Sequence, residues 1–266
     1  MIRFVFPRQK VRRCFGSLQQ HGVCFMKRTK SLLAIVIVMA ACSGPKNDGY
    51  DSAGPEIVQT PILFDERREE LSLQYMQQRY GMTQDRATIK PQMVVVHWTA
   101  IRTFDETFAA FDPVELPQAR DAIGSAGALN VSSHYLIDRD GTIHQLLPDT
   151  TFARHVIGLN HCAIGIENVG NGTDLPLTNA QFESNVALIR MLHEKHDIEY
   201  LVGHHEYSQF IGHPLWKETD PGYLTEKSDP GDDFMARLRT TLASLNFKAA
   251  PEKPKASGPS LIDERN

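Results

Sequence analysis

The chain is expected to fold as a single α/β (α+β) domain, a central mixed β-sheet flanked by helices. Two observations predict this. Short β-branched apolar runs, such as "MVVVHW" at 93–98 and "AIGIE" at 163–167, alternate with longer segments whose apolar residues recur at helical spacing. One pair of short runs is joined through Asp140–Gly141, a hairpin dipeptide, so the sheet needs an antiparallel neighbour as well as parallel ones. The length of 266 residues, 41% hydrophobic and 23% charged, suits one domain with extra sequence at its ends. The formal net charge of −4 and the lack of a long basic tract beyond the N-terminus argue against a nucleic-acid partner.

The elements follow in order. From Met26, the residues Lys27, Arg28 and Lys30 precede an apolar stretch, Leu32–Ala41, and then Cys42. This is the order of a secretory signal, and the stretch is too short for a bilayer-spanning helix, which needs ~20 residues. Ala40–Ala41 before Cys42 resembles a lipobox, with Met39 in place of the usual leucine. That resemblance implies lipidation of Cys42 and removal of everything before it. Ser43 resembles an outer-membrane sorting signal, so the expected location is the outer membrane, facing the periplasm. Residues 1–25 would make the n-region unusually long, which fits translation starting at Met26.

Residues 43–60 are rich in Gly, Pro, Ser and Asp and read as a flexible tether. Residues 248–266 read as a disordered tail, leaving 61–247 as the folded domain. Within it, a helix is expected over Asp65–Tyr80, capped by Asp65 and stopped at Gly81. Met93–Trp98 is a buried strand. Ser133–Ile137 and Thr142–Leu147 form the hairpin, and Ala163–Glu167 is a further strand. Thr178 with Gln181 makes a capping-box pattern for a helix to about His196. Glu199–Gly203 is a short strand, and Asp232–Leu245 a last helix. Of four cysteines, Cys14 and Cys24 precede the cleavage point and Cys42 is the lipidation site. Cys162 is then a lone packed residue, with no internal disulfide.

Three strands end on a polar residue: His97, Glu167 and His204. Strand ends on a rigid sheet are good places for a site, although a lone histidine such as His97 is also compatible with a satisfied core residue. Two imidazoles and one carboxylate suit zinc, and three protein ligands leave a position for water, the mark of a catalytic site. No H-E-x-x-H occurs, which disfavours a helical zincin. His97 and His204 lie far apart in sequence, so spacing alone selects nothing.

Five stretches, "VVVHWTA", "VSSHYLIDRDGTIHQLL", "ARHVIGLNHCAIGIENVG", "LVGHHEY" and "KSDPG", come in the order of the zinc-dependent type-2 N-acetylmuramoyl-L-alanine amidases. The chain resembles that family over about residues 90–240. The family is itself related to phage lysozyme-type amidases and to peptidoglycan recognition proteins. The resemblance implies one zinc ion held by His97, His204 and Asp229, with Glu167 and Lys227 catalytic. Glu167 would move protons, and Lys227 would stabilise the tetrahedral oxyanion. The bond cut would be the amide between N-acetylmuramic acid and L-alanine, in peptidoglycan or in muropeptides. His155, Asn160, Trp98 and Thr99 would bind substrate, and His134 would pack or support a ligand from behind rather than bind the metal itself. The protein is expected to act as a monomer, held to the membrane through Cys42.

Two departures from the pattern matter. A second "DPG" at 220–222 makes Asp220 a rival for Asp229, although only Asp229 has a lysine two residues before it. His205 rivals His204, but neighbours on an extended strand point to opposite faces, and the preceding glycine favours His204. The aromatic-rich insertion over 205–226 either walls the cleft or packs on the body. Two rival functions stand beside this one: a non-catalytic peptidoglycan-binding lipoprotein on the same fold, and a zinc peptidase of the stem peptide, which the order of motifs disfavours.

Overall fold

In the computed structural model, which describes residues 54–117 and 127–252, the first helix, α1 (Glu66–Tyr80), starts where the sequence places its cap. The Asp65 side chain accepts from Arg68 N–H, and Gly81 closes the last turn in the left-handed region at φ 62°. The signal segment, Cys42, most of the tether and the far end of the tail lie outside the described residues.

Six strands build one sheet: β1 (Ile57–Gln59), β2 (Met93–Trp98), β3 (Tyr135–Ile137), β4 (Ile143–Gln145), β5 (Ala163–Asn168) and β6 (Tyr200–Gly203). Their spatial order is β1-β4-β3-β5-β2-β6. β3, β5, β2 and β6 are mutually parallel. β4 is antiparallel to β3, as the hairpin requires, and β1 is parallel to β4. The remaining α-helices among the described residues are α2 (Phe104–Phe111), α3 (Asn179–Lys195) and α4 (Asp232–Thr241).

β2 is a continuous apolar run because both faces of the sheet are covered. Met93 and Val95 pack with Leu71, Tyr75 and Met76 of α1. Val94 and Val96 pack with Phe182, Ile189 and Leu192 of α3 and with Met235 and Leu238 of α4. Period-2 alternation therefore turns His97 to the α1 face. The parallel register sets His97 opposite Glu167, so the two side chains share that face. The capping box at α3 is complete: Gln181 N–H donates to Thr178 Oγ1 and Thr178 N–H to the Gln181 side chain.

Four expectations need correction. Residues 57–59 are not tether: they add β1 to the sheet edge, pairing Ile57 with Ile143. Lys248 is likewise tied in, its N–H donating to Glu199 O, so the tail starts later than composition suggests. α4 stops at Thr241 and passes into a short 3-10 turn, Ala243–Leu245, closed by Asn246 in the left-handed region at φ 54°. The hairpin strands are shorter than expected, with the hydroxyl of Ser133 bonded to Gly165 O instead of extending β3. No helix among the described residues is long and apolar enough to cross a membrane.

Candidate metal centre and active site

The C-terminal ends of β2, β5 and β6 converge on one cleft of about 260 Å³. His97 is the fifth residue of β2 and is buried. His204 follows the last residue of β6 and opens a 3-10 helix, His204–Phe210. Asp229 comes from the loop before α4 and is also buried.

Their ligand atoms form a tight triangle. His97 Nδ1 lies 2.9 Å from His204 Nδ1, His204 Nδ1 lies 3.0 Å from Asp229 Oδ2, and His97 Nδ1 lies 3.3 Å from Asp229 Oδ2. A tetrahedral ion with bonds near 2.0–2.1 Å needs ligand atoms about 3.3 Å apart, so these three atoms fit one face of such a shell. They are the His/Cys/Asp/Glu group among the described residues placed to hold a metal ion. The electrostatics agree with the donor set. Burial, aided by His97, pushes the His204 imidazole down to about 4 and so favours its neutral, ligating form. Burial opposes ionisation of Asp229, but the adjoining His204 and His97 imidazoles outweigh it and hold the carboxyl well below the usual carboxylate range.

Glu167 stands beside this triangle. Its Oε2 is buried with no hydrogen-bond partner in the protein, an atom that calls for a partner from outside the chain. Burial pushes its carboxyl up to about 7; Asp229 adds to the rise, while His97 and Lys227 oppose it. Lys227 is exposed and lines the cleft.

The rival ligands drop away. Asp220 sits at the surface, 3.5 Å from Arg79, with its side chain 52% exposed. His205 turns from the triangle, and both its backbone N–H and its Nδ1 donate to the carbonyl of Asp229. Strand alternation is not the reason, since a 3-10 helix begins at His204. His205 instead fixes the backbone of Asp229.

The residues expected to touch substrate are less uniform. Trp98 and Thr99 line the cleft, but the Thr99 hydroxyl is engaged by Ile101 and Gly170 N–H. Asn160 also has its amide engaged: Oδ1 accepts from His155 and Val156 N–H, and Nδ2 donates to Tyr80. At 1% exposure it holds the loop at the border of the cleft. His155 lies against His97, with Nδ1 3.0 Å from His97 Nε2. His134 packs as expected, its Nε2 donating to Thr151 O and its Nδ1 accepting from Gly165 N–H.

The cleft residues that were not anticipated include Arg154, Tyr223 and Thr225. The Arg154 guanidinium donates to the Tyr223 hydroxyl at 3.1 Å and lies 5.0 Å from the Tyr75 ring centre. Its place beside His155 in "ARHV" is the one sequence signal that pointed to it. The insertion itself mostly packs on the body: Phe210 is buried, Tyr207 stacks on Trp216, and only its end reaches the cleft.

Residues 74–232 match the family described as Amidase_2, N-acetylmuramoyl-L-alanine amidase. The chain belongs to that family. An endolysin of Escherichia phage T7 is 34% identical over 85 residues, 30% of this chain and 56% of the endolysin, so the match spans little more than half of that relative. Among solved structures, the N-acetylmuramoyl-L-alanine amidase LysC from Clostridium intestinale is 24% identical, covering 73% of this chain and 99% of that one at a TM-score of 0.44. A selenomethionine AmpD is 24% identical, covering 70% and 94% at 0.45. A human peptidoglycan recognition protein, solved with a glycosamyl muramyl pentapeptide, is 20% identical, covering 61% and 92% at 0.41.

Proposed function

We propose that this amidase-family chain hydrolyses the amide between N-acetylmuramic acid and L-alanine, in peptidoglycan or its fragments, with zinc at the His97–His204–Asp229 triangle. The observation that carries this is the pairing of a three-atom ligand face with the unpartnered Glu167 Oε2 on the neighbouring strand. A zinc ion held there supplies Lewis-acid polarisation of a carbonyl and acidification of water. Glu167, raised toward neutrality, accepts the proton of the attacking water and returns one to the departing amine of alanine. Lys227, cationic at the cleft, offsets negative charge growing on the carbonyl oxygen. His97, His204 and Asp229 hold their positions because two are seated at strand ends and the third is clasped by His205.

We also propose that the protein is a lipoprotein held to the outer membrane at Cys42, facing the periplasm. The basic cluster, the short apolar run and Ala40–Ala41–Cys42–Ser43 support this. Fatty-acid labelling that vanishes in Cys42→Ser is the test.

Digestion of purified peptidoglycan by the chain lacking residues 1–42 tests the activity. Wild type, Glu167→Ala and a chelator-treated sample run together, with products identified by mass spectrometry. Stem peptides beginning at L-alanine from the wild type alone support the reading. Binding to the wall without cleavage would make this a non-catalytic binder, and cuts within the peptide would make it a peptidase.

A further inference from the structure

We infer that His155 is a positioning residue that fixes the tautomer of the metal ligand His97. This rests on the zinc reading above and extends it beyond the three ligands. The argument is a chain of hydrogen bonds with one consistent direction. His155 Nε2 lies 3.1 Å from the carbonyl of Ala163. A carbonyl only accepts, so Nε2 carries the hydrogen. In a neutral imidazole the other nitrogen, Nδ1, is then an acceptor, and it lies 3.0 Å from His97 Nε2. His97 must therefore carry its own hydrogen on Nε2. That leaves the Nδ1 lone pair of His97 aimed at His204 Nδ1 and Asp229 Oδ2, 2.9 and 3.3 Å away.

The surroundings are built for this relay. The His155 backbone is gripped by Asn160, whose Oδ1 accepts from the N–H of His155 and of Val156. The ring lies against β5 at Gly165, where an added Cβ would come within 2.8 Å of His155 Cγ. The two rings meet edge to face, 5.1 Å between centres. A ligating histidine whose second nitrogen donates to a fixed acceptor is held in orientation and tautomer, and losing such a partner weakens metal binding about 10- to 100-fold. Here the acceptor is another imidazole.

The test measures zinc affinity by competition with a chromophoric chelator, using full-length protein in detergent micelles. His155→Phe keeps a ring of similar size and loses the acceptor. His155→Asn places Oδ1 where Nδ1 stood and keeps it. We expect the Phe variant to bind zinc about 10- to 100-fold more weakly and the Asn variant to recover most of the loss. Wild-type zinc affinity in the Phe variant, with only KM for substrate raised, would make His155 a substrate contact and overturn the inference while leaving the proposed activity intact. Failure of wild type to take up zinc would overturn both. Should the Phe variant not fold, ring-nitrogen NMR of metal-free wild type decides: His97 protonated on Nε2 supports the relay, and on Nδ1 refutes it.

Discussion

His97 and Glu167 stand opposite each other across the β2–β5 pair, in register and on the same face of the sheet. The proposed ligand and the proposed proton carrier are thus fixed by strand pairing rather than by a loop.

Replacing Glu167 by Gln should therefore remove proton transfer without disturbing the ligand triangle. Hydrolysis is expected to fall about 10²- to 10⁴-fold, with metal content unchanged. Loss of zinc along with activity would show that Glu167 supports the ion instead.

Asp229→Ala should abolish tight zinc binding, whereas Asp220→Ala should not. The Asp220 charge faces solvent near Arg79, and such pairs contribute less than about 1 kcal/mol. Metal analysis of both variants, purified in parallel, decides between the two "DPG" motifs.

Asp149 gathers the C-terminal end of α3 onto the hairpin. Lys195 Nζ donates to it at 2.7 Å, His196 Nε2 at 2.9 Å and Gln145 Nε2 at 3.1 Å, with Tyr135 as a fourth donor. Burial alone would raise its carboxyl; the bonds from His196, Lys195 and Tyr135 outweigh it and depress the carboxyl below its ordinary value. A depressed carboxylate stabilises the fold above the ordinary pKa and loses that contribution as pH falls through the native one. Asp149→Asn should cost about 2 kcal/mol near neutrality. In urea unfolding the gap between wild type and variant should narrow in acid. A gap independent of pH would refute the ionic account.

His134 acts in the same direction. Burial pushes its imidazole down to about 4, and its neutral form makes both of its hydrogen bonds. Its share of stability is complete above about 6.5 and drains away as pH falls toward the native value. His134→Gln should flatten this part of the pH–stability curve, measured by thermal unfolding between neutral pH and pH ~4.5.

Gly158 lies under Trp216 with φ +77°, and a Cβ there would come within 2.7 Å of the indole. Gly158→Ala is expected to destabilise by about 1–3 kcal/mol and to shift Trp216 emission. Since the chain has two tryptophans, a Trp98→Phe background isolates that signal. Unchanged emission would mean that the insertion packs less firmly than the geometry implies.

Much of this was legible in the sequence where local pattern decides structure. The β2 run, the Asp65 and Thr178 caps and the Asp140–Gly141 hairpin all depend on residues a few positions apart. The His97–His204–Asp229 cluster was legible through motif order, because no local rule joins His97 to His204 across 107 residues. α2 went unread although Thr103 and Glu106 form a start signal for it, with Glu106 N–H donating to Thr103 Oγ1. β1 went unread because three exposed or half-exposed residues in Pro/Gly-rich sequence become a strand only by pairing with a partner 86 positions later. The His155 relay depends on how a loop meets β5, which no linear pattern encodes.

β2 is hydrogen-bonded along both edges, to β5 and to β6, whereas Asp229 is carried by a loop after the insertion. The amides of Val94–Val96 should exchange with solvent only when the whole domain opens, while the Asp229 loop can open by a smaller local fluctuation. The ion's residence time would then follow the breathing of that loop, and His97 and Glu167 would keep their register each time the site empties and refills.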